Sequence, residues 1–460
     1  MSDRIQQWTI LGITMTSSFF NPLMGSAVNV ALPNIAHEFS IHTLTLSWIS
    51  MAYLLSAAVF LVPMGKWSDI WGRKRVFMMG NVLFLLASIM CALAPTASVL
   101  IFSRFLQGIG SSMLLSTSMA IVVSSFPATM RGRAIGLNVS AVYLGLSLAP
   151  VLGGFLTQQL GWRSLFALNA VATLLVLLGT TLAIKREWKE AAGADFDWKG
   201  ALVYMPSMSL LMLGLSNLPE FWAFLFIAVG FFGLIWFVQI ERSVKDPVLE
   251  MRLFFKNVVF ATANFAAFIN YAATFAVSFV LSLYLQYIKG FNPQEAGSLL
   301  MAQPMMMAVV AIIAGRMSDR FNPHRLTALG MAFSVLGLFL LSFLSLQTDF
   351  SYILIALLVL GFGFGLFSSP NTHLVMQSVD STYYSVASAT IATMRNSGMM
   401  FSMAVAAFVL HVFVGNERIT SVNEASFVRG SNWIFAVFSA LCLLGVLLIL
   451  KGKRSAKILS

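Results

Sequence analysis

Apolar residues in this chain come in long runs, separated by short polar or charged intervals. A helix needs about 20 apolar residues to cross a bilayer core of about 30 Å. Fourteen runs meet that length: 8–31, 46–65, 76–94, 98–126, 134–158, 163–184, 199–218, 220–240, 258–286, 293–315, 325–346, 350–378, 384–414 and 432–452. Barrel strands would alternate polar and apolar positions over about ten residues, and stretches such as Val171–Leu178 show no alternation. The pattern predicts an all-α polytopic membrane protein with fourteen transmembrane helices.

Composition supports that pattern. Of 460 residues, 58% are hydrophobic and 10% are charged, against about 25% charged in soluble domains. Such a chain cannot coat itself with a solvated shell, which excludes a soluble domain, a disordered chain and a disulfide scaffold. Cys91 and Cys442 lie in apolar runs and read as small core residues. The first run lacks a small-residue cleavage motif, so no removable leader is expected.

Net charge is +11. With the amino terminus placed in the cytoplasm, 22 Lys and Arg fall on the inner face and 4 on the outer, while Arg104 and Arg395 lie inside helices. This asymmetry follows the positive-inside rule and explains the basic balance without nucleic acid. An even number of spans puts both termini inside.

Two loops repeat. Gly65-Lys66-Trp67-Ser68-Asp69 follows the second run and ends at Arg75; Gly315-Arg316-Met317-Ser318-Asp319 follows the tenth and ends at Arg325. The constant offset of 250 covers eight spans, so both copies enter the membrane in the same sense. Parallel halves of this kind fit a transporter with a central site. The expected organisation is a six-helix bundle over 1–184, cytoplasmic linkers with two inserted helices over 185–257, and a second six-helix bundle over 258–460.

Four motifs make the whole chain resemble the major facilitator superfamily, specifically its fourteen-span drug:proton antiporter branch. They are Gly65-x3-Asp69-x2-Gly72-Arg73-Lys74 after span 2; Arg104-x2-Gln107-Gly108-x-Gly110 in span 4; Gly136-x8-Gly145-x3-Ala149-Pro150-x2-Gly153-Gly154 in span 5; and Val28-Asn29-Val30-Ala31-Leu32-Pro33 closing span 1. The resemblance implies a major facilitator fold, multidrug-type efflux and alternating access. In the loop, Asp69 is expected either to accept hydrogen bonds from a neighbouring helix N-terminus and pair with Arg73 or another cation, forming a latch, or to belong to a tight charged turn. Gly315 and Asp319 mark the second copy. The small residues of span 5 allow close helix approach, and Pro150 permits a kink. In the resembling family this stretch lies between the halves and limits leak.

One family feature is missing. The acid usual in span 1, five positions before the closing asparagine, is replaced by Met24, and no Asp or Glu falls well inside a span. Arginine stays charged in proteins, so Arg104 and Arg395 cannot carry protons. Their cost in a membrane implies that each faces a cavity or partner, or is held by backbone carbonyls. Proton coupling is then either absent or carried by His373, His411 or Glu295. The charge inventory disfavours lipophilic cations and suits anionic, zwitterionic or neutral amphipathic compounds. Polar cavity candidates are Asn21, Asn29, Gln107, Asn138, Tyr143, Asn264, Asn270, Tyr271, Gln303, Asn371 and Asn396, together with Met24 and the two arginines; each of these residues serves either substrate or helix bridging. The expected partners are a small-molecule substrate, the lipid bilayer and a proton or other ion, with a monomeric chain. There is no nucleotide-binding glycine loop, metal cluster or nucleophile constellation; no cofactor or catalytic residue is expected. The leading expectation is a secondary exporter. An organic-anion facilitator or importer comes second, and a transporter-like receptor or scaffold third.

Overall fold

A computed structural model describes residues 3–40, 43–191, 193–218, 220–291, 293–414 and 424–458, with side chains at 3, 33, 43–47, 150, 216, 252, 293, 294 and 451–458 outside that description. The described chain is helical throughout: α1 (Asp3–Phe39), α2 (Thr43–Trp71), α3 (Arg73–Ala92), α4 (Ala97–Ser125), α5 (Arg131–Leu160), α6 (Arg163–Ala183), α7 (Trp198–Ser216), α8 (Phe221–Glu241), α9 (Met251–Phe255), α10 (Val258–Thr274), α11 (Ala276–Leu283), α12 (Pro293–Leu300), α13 (Ala302–Ser318), α14 (Pro323–Leu341), α15 (Phe350–Gln377), α16 (Tyr384–Val414) and α17 (Glu424–Ile458). Among the described residues eleven helical segments are long and apolar enough to cross a membrane, or twelve when the bent pair Ala128–Ala149 and Val151–Leu160 counts as one span. These two segments of α5 differ in direction by 47° across Pro150, a position that lacks a backbone donor. The predicted runs 8–31 and 199–218 fall on α1 and α7, which are outside that set. In α1 the apolar character is diluted by the buried Thr14, Ser17, Ser18 and Asn21.

The chain divides into two compact units. The first is Met1–Ser209, Gly233–Met251 and Val379–Thr393; the second is Leu210–Phe232, Arg252–Ser378 and Met394–Ser460. In the first, α1 packs along α5, and α4 packs between α2 and α3. Glycines set these crossings, because without a side chain the backbones approach closely. A methyl at Gly108 would collide with Ser56 and Tyr53, and one at Gly80 would lie 2.8 Å from the Met113 Cβ. Gly145 and Gly153 of the span-5 motif face α1: Gly145 meets the Phe19 carbonyl, and a methyl at Gly153 would lie 2.9 Å from the Ala27 carbonyl. Gly136 is buried, while Gly154 is only half-buried and has just Val30 within reach.

The second unit repeats this packing. α15 packs between α13 and α14, as α4 does between α2 and α3, while α17 packs on α10 and α14, as α6 does on α1 and α3. The loop offset extends into the helices. Gly330, 250 positions after Gly80, lies against Gly363 and Phe367, and the Gln303 carbonyl, 250 positions after that of Tyr53, meets Gly361. Outward faces are apolar: Phe221, Phe232 and Trp236 on α8 are 90%, 67% and 59% exposed. Side chains of this kind belong in hydrocarbon rather than water.

Candidate functional site

The first unit gathers the loop motif into a buried charged cluster. α2 ends at Trp71 and α3 begins at Arg73; the chain turns at Gly72, whose φ of 126° suits glycine. Asp69 on the last turn of α2 is 1% exposed and Arg73 is fully buried. The Asp69 carboxylate accepts from Arg73 Nε at 2.8 Å, with Arg73 Nη2 also at 2.8 Å. It further accepts the backbone N–H groups of Ser385 at 3.3 Å and Val386 at 3.1 Å. Those two amides belong to the first turn of α16, where a helix presents unsatisfied donors and the positive end of its dipole. Arg73 also donates to Ser385 Oγ at 3.0 Å, to Ser124 Oγ at 2.7 Å and to the Ser381 carbonyl. Its guanidinium lies 5.4 Å from the Tyr384 ring centroid. The carboxylate thus sits on a helix N-terminus and pairs with Arg73. Gly65 makes room, since a methyl there would lie 2.7 Å from the Ala389 Cβ.

The linker closes over this cluster. Glu187 accepts the Lys74 N–H at 2.9 Å, capping α3 from outside, while Arg73 N–H donates to the Trp188 carbonyl at 3.0 Å and Ala191 N–H to the Asp69 carbonyl at 3.1 Å. Neither Glu187 nor Ser381–Val386 is marked by the motif, because both lie more than 100 residues from it.

A second network crosses the same unit. Arg104 is fully buried and donates to the Ile49 carbonyl at 3.1 Å and to Gln107 Oε1 at 2.6 Å. Gln107 donates to Ser88 Oγ at 2.9 Å, which also receives Asn169 at 2.8 Å. The guanidinium lies 4.3 Å from the Tyr53 ring centroid, a cation–π contact worth about 2 kcal/mol or more when desolvated. Tyr53 OH donates to Asn21 Oδ1 at 2.8 Å, and Ser111 donates to the same oxygen at 3.0 Å. Asn21, Arg104 and Gln107 thus belong to one chain joining five helices. Asn138 is held separately by Ser18 at 3.1 Å, and the exposed Asn29 by Ser50 at 2.7 Å. Tyr143 is 2% exposed. Met24 is 1% exposed within an apolar cluster that includes Leu23, Ala27, Val28 and Ile35.

In the second unit Asn371 donates to the Ala263 carbonyl at 3.1 Å and Asn264 to the Phe260 carbonyl at 2.9 Å. Tyr271 meets Phe364 edge-on at 4.9 Å between centroids. Asn270 is fully buried, and its amide atoms make no hydrogen bond among the described residues; Gln303 Oε1 is in the same position. His373 Nδ1 lies 3.1 Å from Ser318 Oγ. Ser318 in turn donates to the Gly315 carbonyl at 2.8 Å. Asp319 caps α13 and is half-buried. Arg395 and Asn396 are half-buried on α16, and Glu295 is exposed in the first turn of α12.

A clamp of the opposite kind closes α1. The exposed Glu38 accepts from Trp162 Nε1 at 2.7 Å and from Arg163 at 2.8 Å. The Trp162 indole N–H, followed by the Arg163 guanidinium, holds its carboxyl below the usual range.

The repeated bundle, the apolar outer faces and the loop cluster describe a multi-pass membrane carrier. Residues 14–403 and 263–458 match the Major Facilitator Superfamily, and the chain belongs to it. It is a transporter and not an enzyme. The chain is 29% identical over 448 residues to the riboflavin transporter RibZ of Clostridioides difficile (strain 630), covering 96% of this chain and 97% of that one. It is 29% identical over 416 residues to the multidrug resistance protein Stp of Mycobacterium tuberculosis (strain CDC 1551 / Oshkosh), covering 89% and 76%. The crystal structure of the human organic anion transporter MFSD10 (TETRAN) superposes with a TM-score of 0.71 at 15% identity, over 96% of this chain and 99% of that one; at this identity the likeness concerns the fold.

Proposed function

We propose that this chain is a fourteen-span member of the drug:proton antiporter branch, exporting small amphipathic organic compounds through the cytoplasmic membrane by alternating access. The observation that carries this reading is the seat of Asp69 on the Ser385 and Val386 amides, with Arg73 as its counter-charge. Such a set of directional bonds gives one state of the carrier a contact that must break when the cytoplasmic face opens. The Lys and Arg asymmetry assigns that face and both termini to the cytoplasm. The fourteen spans are the twelve apolar segments together with α1 and α7. The chain acts as a monomer built from a 1–184 bundle, a 185–257 insertion and a 258–460 bundle.

For the substrate, the proposed contacts are Arg395, Asn396, Asn270, Tyr271 and Gln303. Arg104 is occupied by the Ile49 carbonyl and Gln107 and acts by holding helices together. The names of the relatives span riboflavin and multidrug transport, which supports a small organic substrate. A second reading, an organic-anion facilitator without proton coupling, is favoured by Met24, which fills the position of the usual acid with core packing. Flux of anionic, neutral and cationic dyes in proteoliposomes under an imposed pH gradient separates the two. Uphill movement that stops when the gradient collapses supports the antiporter; equilibration indifferent to the gradient supports the facilitator.

A further inference from the structure

Two acids at the linker ends, Asp197 and Glu241, are buried together. Asp197 is 9% exposed and Glu241 is 2% exposed. Each has one oxygen with a clear task. Asp197 Oδ1 accepts the Gly200 N–H at 3.0 Å, capping the start of α7, and Glu241 Oε2 accepts the Leu249 N–H at 2.9 Å at the end of α8. The other two oxygens, Asp197 Oδ2 and Glu241 Oε1, are shut off from solvent and receive no donor. They converge on one point: a methyl at Gly200 would collide with both. Ionised carboxylates offer only lone pairs, so this contact needs a proton between them. Two bare negative charges at such a separation, away from water, repel strongly.

We propose that Asp197 and Glu241 share one proton and form a carboxyl–carboxylate pair, a proton-binding site where α7 and α8 meet the linkers. Lys66 of α2, 8% exposed, supplies positive charge that favours the ionised form of Glu241. The other charged groups on these segments are the exposed Asp195, Lys199, Arg242 and Lys245 and the half-buried Asp246 and Glu250. Lys66 and Asp69 line one cavity with Lys245, Asp246 and Tyr383. The assignment holds whichever compound is transported.

The test uses the full-length protein in lipid nanodiscs, free of sodium, followed by infrared spectroscopy across a pH titration. The wild type is expected to show the carbonyl stretch of a protonated carboxyl at neutral pH, lost on alkalinisation. Asp197→Asn and Glu241→Gln each replace the shared proton by an amide N–H, and asparagine remains a good helix cap; both are expected to lack the band. The melting temperature of the wild type, compared with either variant, should decline as pH rises from about 5 to about 9, because the folded state binds the extra proton. Absence of the band in the wild type at neutral pH overturns the proposal, and this arm needs no variant to fold. A band that persists unchanged in both variants also overturns it. Displacement of the wild-type band by sodium chloride, but not by choline chloride, at fixed pH would overturn it in favour of a bound cation.

Discussion

The loops at 65–75 and 315–325 share a turn but differ in how they are fastened. In both, a serine hydroxyl bonds back to a glycine carbonyl at 2.8 Å, Ser68 to Gly65 and Ser318 to Gly315. Both then cap the next helix at the same register. The Lys74 N–H is capped by Glu187, from 113 residues away, and the His324 N–H by Asn322, two residues back, at 3.0 Å. The first copy has Gly72 where the second has Asn322, and Arg73 where the second has Pro323. Glycine lets the chain adopt φ 126° beside the Glu187 carboxylate. Arginine supplies the charge that makes a buried Asp69 tolerable. Proline cannot do that, but it suits the first turn of a self-capped helix. The comparison shows that a sequence repeat can keep a serine turn and a capped helix start while the cap comes from different places and the backbone differs, with φ of 126° at Gly72 and −61° at Asn322.

The largest expected effect is on the charged pair. Asp69→Ala leaves the fully buried Arg73 without its carboxylate, a loss of about 3–5 kcal/mol for a broken buried pair. Asp319→Ala removes a half-buried group with proline in the arginine position and should cost clearly less. Thermal unfolding of both variants in detergent checks this; equal losses would break the distinction between the copies. Next, Gly72→Ala should cost about 1–3 kcal/mol through backbone strain and force Glu187 aside, whereas Asn322→Gly should cost only a few tenths. Asn322→Ala should cost about 1 kcal/mol as a lost cap. Glu187→Gln should cost less, because the amide oxygen still accepts from Lys74 and the 3.8 Å approach to the exposed Arg75 is a weak surface pair.

The smallest effect concerns Glu38 and Arg163, the same charge chemistry left in water. Hydrogen bonds from Trp162 and Arg163 depress the Glu38 carboxyl, so its contribution is full above the ordinary glutamate range and fades as pH falls through the lowered folded value. The melting difference between wild type and Glu38→Gln should shrink on acidification. A difference that grows would contradict the assigned sign.

Much of this was legible in the sequence, because burial in a bilayer imposes a one-dimensional pattern. The helices follow the apolar runs, and the loop motif singled out Asp69 and Arg73 while leaving open a latch or a charged turn. The partners were not legible. Ser385 and Val386 reach Asp69 through backbone amides, which leave no mark on residue type. Glu187, Asp197 and Glu241 look like solvated linker charges, since only tertiary folding removes the water around them. Arg104 announced an expensive buried cation, but the Ile49 carbonyl that accepts from its Nε has no sequence signature. Met24 signalled a missing acid, and its apolar surroundings give that absence a packing reason.

The most direct measurement is gradient-driven dye flux in proteoliposomes carrying wild type, Asp69→Asn or Asp319→Asn at equal folded protein. Asparagine keeps the shape of the side chain while removing the charge that Arg73 and the α16 amides hold. The account predicts a fall of about tenfold or more for Asp69→Asn, with Asp319→Asn within about twofold of wild type, the larger ratio corresponding to ~1.4 kcal/mol. Wild-type flux in the Asp69→Asn protein would contradict it.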